Sequence, residues 1–132
     1  MKISFAKIFK SHSKAIPEII IHTLSEHFPD AINIEWEQKK SSYEAIFYVN
    51  DVEHIAQITD SGILKEYKIN LWPNELPGPI QEESHKLGEI MNGIAIYRED
   101  GLFYEVIVRD TQLNRSVVLF NHDAVLLSTR KL

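Results

Sequence analysis

The sequence predicts an α+β domain of two tandem α-β-β-β-β repeats, with a largely antiparallel sheet and helices packed on one face. Three observations carry this. An apolar stripe of period four gives way to period-two alternation early in the chain. A proline-rich break, residues 72–79, interrupts the middle. After the break the same order of patterns returns. The composition is that of a globular chain of about one domain: 132 residues, 44% hydrophobic and 25% charged.

Ile16, Ile20, Leu24 and Phe28 recur every four residues, with Ile21 beside them, and predict a helix over 16–28. Pro17 suits the first turn, where its missing N–H loses no partner, and Pro29 ends the helix. Ile32, Ile34 and Trp36 then alternate with Asn33, Glu35 and Glu37 as a half-buried strand. Tyr43, Ala45, Phe47 and Val49 alternate with Glu44, Ile46 and Tyr48 in a second strand, and Asn50-Asp51 turns the chain. A third strand runs over 52–59, and Asp60-Ser61-Gly62 leads into a fourth over 63–69. The three prolines and one glycine of WPNELPGP forbid a regular element. A second helix is expected from Pro77 to about Leu87. Ile94 and Ile96 mark a strand, Glu99-Asp100-Gly101 a hairpin turn, and Leu102, Tyr104, Val106 and Val108 the next strand. Strands over 115–120 and 124–129 close the chain.

Shifting the chain by 60 residues lays Ile16-Pro17 on Leu76-Pro77, Ile20 on Ile80, and Ile34 and Trp36 on Ile94 and Ile96. A shift of 61 lays Tyr43-Glu44-Ala45 on Tyr104-Glu105-Val106. The expected organisation is a basic N-terminal segment, 1–14, followed by a single domain made of repeat 15–72 and repeat 73–132. Trp36 is expected to be buried between the first helix and its sheet.

Charge narrows the function classes. The net charge is −5, which disfavours nucleic acid as a partner because such binding neutralises phosphates. Residues 1–14 stand apart, with Lys2, Lys7, Lys10 and Lys14 and no acid. With Ile3, Phe5, Ile8 and Phe9 the segment reads either as a small amphipathic anchor or as an extra turn packed on the acidic body. Lys7 and Lys10 interrupt its apolar positions, so no signal peptide is read and a cytoplasmic place is expected. No run approaches the length of a membrane span.

No catalytic centre is expected. Cysteine is absent, which removes thiol nucleophiles and cysteine zinc sites. His22 and His27 lie five apart, off the i,i+4 spacing of a ligand pair, and the other histidines fall on separate elements. Glu35 and Glu37 share a strand face that reads as solvated surface. There is no G-x-S-x-G elbow and no glycine-rich phosphate loop. No metal, cofactor or enzymatic activity is therefore expected.

The candidate site is the sheet face away from the helices. Alternation sends Tyr43, Ala45, Phe47, Val49, Tyr104, Val106 and Val108 inward. The opposite face then holds Ile46, Tyr48, Phe103, Ile107 and Arg109, with Val118 and Phe120 expected to join them. Apolar side chains there call for cover, and tyrosine and arginine are frequent interface residues. Either a protein partner binds this face, or the N-terminal segment, a long loop or a second copy in a homodimer covers it. A small acidic protein neutralising a basic partner, in the manner of an immunity protein, is the alternative function. A small-molecule carrier is a third.

The proline-initiated helix ending in Phe28-Pro29, the strand carrying Trp36-Glu37, the Tyr43-Glu44-Ala45 strand and the Asp60-Ser61-Gly62 turn come in an order that resembles PepSY-like, beta-lactamase-inhibitor-like proteins. The resemblance covers about residues 15–130, and the second half departs at Leu87-Gly88, Ile96 and Asp123. It implies helices on one face of an open antiparallel sheet, a free face able to grip a protein, and no catalytic motif. Many such proteins look exported, so it also implies a periplasmic place if a leader is missing from this chain.

Overall fold

The computed structural model describes residues 15–132. The chain is mostly β. Among the described residues, eight strands follow one another in chain order through an antiparallel sheet, accompanied by two short α-helices. In order these are α1 (Glu18–His27), β1 (Ile32–Gln38), β2 (Ser42–Val49), β3 (Val52–Thr59), β4 (Leu64–Leu71), α2 (Gly78–His85), β5 (Glu89–Arg98), β6 (Gly101–Arg109), β7 (Arg115–Asn121) and β8 (Leu126–Lys131). The basic segment 1–14 lies outside the described residues. Two compact units divide between Tyr67 and Lys68.

In the first unit, α1 begins just after Pro17, whose carbonyl accepts the N–H of Ile20 and Ile21. Its stripe buries Ile20 and Leu24 against Ala45 and Phe47 of β2 and Ala56 and Ile58 of β3. Phe28 ends the helix and folds onto that core, its ring 4.9 Å from Phe47, 5.1 Å from Tyr67 and 5.9 Å from His54. The Nδ1–H of His54 donates to the Val52 carbonyl at 2.9 Å, which satisfies one polar atom of a nearly buried ring. Thr23 lies within 2.7 Å of the Gly62 carbonyl and ties α1 to the turn before β4. Gly62 sits at φ +89°, and a Cβ there would meet Ile19 at 2.8 Å, so glycine fits both the turn and the helix above it.

Strand β1 departs from simple alternation. Ile32 stands opposite Tyr48 and Glu35 opposite Ile46, so Asn33 and Ile34 together face Phe47. This is a β-bulge, and Asn33 takes the left-handed conformation at φ +54°. The extra residue reverses the faces. Ile32, expected inside, is 54% exposed, and Ile34 is 40% exposed. Trp36 opposes Ala45 and packs on the core from its margin, half-buried rather than enclosed.

The second unit opens with a correction. The proline-rich stretch holds a single 3-10 turn, Pro73–Glu75, and α2 follows it directly. Proline is tolerated at these first-turn positions because no N–H is required there. The Glu75 carboxylate accepts the Trp72 N–H at 2.8 Å, and the Gln81 side-chain amide donates to the Leu76 carbonyl at 2.7 Å. Leu76 drops into the core with Ile80, Val106, Val108, Val118 and Phe120. It lies so close over the sheet that a Cβ on Gly93 would approach it at 2.9 Å.

The β5–β6 hairpin has its own bulge. Ile90 opposes Val108 and Asn92 opposes Ile107, leaving Met91 extra. It also continues further than β1–β2, through Ile96↔Phe103 to Arg98↔Gly101. This length displaces the sequence match of Trp36 with Ile96: the residue opposite Val106 is Gly93, as Trp36 is opposite Ala45.

Candidate functional site

The register defines the open face of each unit from its own strands. In β2, Ala45 and Phe47 are fully buried toward α1, which turns Ile46 and Tyr48 to the other side. Ile46 is flanked by Ile55 of β3 and Glu35 of β1, and Tyr48 by Glu53 and Ile32. Glu44 continues the row, opposite Glu37 and Gln57. Ile46, Tyr48 and Ile55 are half-buried, and Ile32 is the most exposed of the group.

In β6, Val106 and Val108 face the core, so Phe103, Ile107 and Arg109 lie on the other side. Ile107 has Asn92 and Val117 as neighbours, and Phe103 has Ile96 and Asn121. The Arg109 guanidinium donates to Glu89 Oε2 at 3.0 Å, across the ladder from the residue opposite it on β5. The Arg98 guanidinium carbon stands 5.2 Å above the Phe103 ring, a cation–π distance. All three predicted residues of this strand are half-buried.

Two expectations fail here. Val118 opposes Val106 and Phe120 opposes Tyr104, so both are core residues rather than part of the open face. Val117 and Leu119 take those places, opposite Ile107 and Glu105. Ile94 and Ile96 also lie on the open side, opposite Glu105 and Phe103. Ile96 is only 1% exposed and Val117 8%, although neither belongs to the helix-side core. Their signal in the sequence was the parity of β5 and β7, hidden by a longer hairpin and a shifted turn.

The titratable groups have local explanations. His22 Nε2 lies 2.7 Å from Glu26 on the exposed side of α1, and the Nδ1–H of His27 donates to the Thr23 carbonyl. His122 Nδ1 is 3.4 Å from Asp123. Burial pushes the Tyr104 phenol above its ordinary value, and Tyr97 adds to the effect. Among the described residues, no group of three or more histidine, aspartate or glutamate side chains stands together as a metal site. No helix among them is long and apolar enough to cross a membrane.

No protein-family model and no curated protein matches this chain. Solved structures do. A BLIP-like protein from Bacteroides fragilis aligns with a TM-score of 0.80 at 18% identity, covering 93% of this chain and 91% of its own. A DUF2874 family protein from Bacteroides uniformis aligns with a TM-score of 0.79 at 17% identity, covering 89% and 90%. A protein from Bacteroides eggerthii, provisionally described as periplasmic, gives 0.79 at 17% over the same shares. At these identities the likeness shows the fold. It supports the beta-lactamase-inhibitor-like part of the resemblance, while the PepSY-like part stands on sequence features alone. A cytoplasmic place finds no support in it.

Proposed function

We propose that the protein is a non-enzymatic binding module, inhibitor-like or accessory, which grips another protein with the open side of its sheet. The observation that carries this reading is the half-buried side chains opposite the helix in each unit: Ile46 and Tyr48 on β2 of the first, and Phe103, Ile107 and Arg109 on β6 of the second. Apolar and aromatic groups joined by an arginine are the composition of interface centres. The fold of a BLIP-like protein supports an inhibitor-like role, and the Bacteroides eggerthii neighbour supports a periplasmic place. We further propose that the two units are tandem copies, because each has a helix over an antiparallel sheet and a bulge at a corresponding place in its first hairpin.

Tyr48→Asp and Ile107→Asp test the binding reading. Both variants are expected to melt within a few degrees of wild type, since neither side chain belongs to the helix-side core. Both are expected to lose the partner that immobilised wild type retains from its native extract, as read by mass spectrometry. Retention of that partner by two folded variants would refute the assignment of the open face.

A further inference from the structure

We draw no further inference here: the strongest candidate, the apolar patch of Phe103, Ile107 and Leu119 on the open sheet face of the second unit, belongs to the site already described, and nothing in the structure shows what covers it.

Discussion

Phe47 and Val108 occupy corresponding places in their units: each lies under its helix, two residues from a small or medium core residue on the same strand. The surroundings compensate for the difference in size. Around Phe47 the first unit has Ala45 and Ala56, with Trp36 at the margin. Around Val108 the second has Val106 and Val118, with Gly93 where Trp36 would be and Leu76 filling the space above it. Further along, Ile58 in one unit answers Phe120 in the other. Ile20 and Ile80 are fully buried in both. Pairing register is shared while volume is redistributed, as expected where total core volume matters more than any one side chain.

That redistribution makes the first unit depend on one ring. Phe47→Ala is expected to cost about 3–5 kcal/mol in urea unfolding, because its ring neighbours Phe28 and His54 cannot collapse into the cavity. Val108→Ala should cost about half as much, since fewer atoms are removed. Equal losses would break the comparison.

The next largest effect is expected at Gly93. A methyl group there meets Leu76, which is itself buried and has nowhere to swing. Gly93→Ala should therefore cost about 1–3 kcal/mol by overpacking, against the usual small gain from replacing a strand glycine. The double variant Gly93→Ala with Leu76→Ala should cost less than the sum of the two single changes, as read by a mutant cycle.

These differences also decide what the sequence could reveal. The helix stripe of α1 and the parity of β2 and β6 were legible because each element is regular: the β2–β3 ladder pairs every residue from Ser42↔Thr59 to Val49↔Val52 without interruption. On that parity Ile46, Tyr48, Phe103, Ile107 and Arg109 fall opposite the core. β1 was not legible because one left-handed residue, Asn33, reverses its faces, and alternation counts residues rather than conformations. The faces of Ile94 and Ile96 were lost to the longer β5–β6 hairpin, and those of Val118 and Phe120 to the turn before β7. Leu76 was read only as a match for Ile16, because prolines on both sides concealed that the loop drops a core residue between them.

Ser84 is a smaller contrast. Its first-unit counterpart along the helix stripe is Leu24, but Ser84 is fully buried and its hydroxyl has no hydrogen-bond partner among the described residues. An unpaired buried hydroxyl carries its desolvation cost without return. Ser84→Ala should stabilise the protein by about 1 kcal/mol, helped by the better helix propensity of alanine. A loss of stability would mean that the hydroxyl finds a partner in solution.

The smallest expected effect lies in the turns. The first unit joins β2 to β3 through Asn50 and Asp51, both left-handed at φ 50° and 64°. The second uses a longer turn between Asp110 and Asn114, with Leu113 left-handed at φ 66°. There the Asp110 carboxylate accepts the backbone N–H groups of Asn114 and Gln112, each at 2.9 Å. These bonds, with that of Asn114 foremost, hold its pKa below the ordinary 3.8, and Lys131 adds to the effect. A depressed carboxylate binds its proton more readily in the unfolded chain, so its contribution is present above that ordinary value and is lost as pH falls through the folded one. Asp110→Asn should therefore lower the melting temperature slightly at neutral pH, and the gap should narrow in acid as pH falls below the ordinary 3.8. A gap that stays constant across this range would show that the clasp acts through geometry alone, and the two turns would then differ only in length.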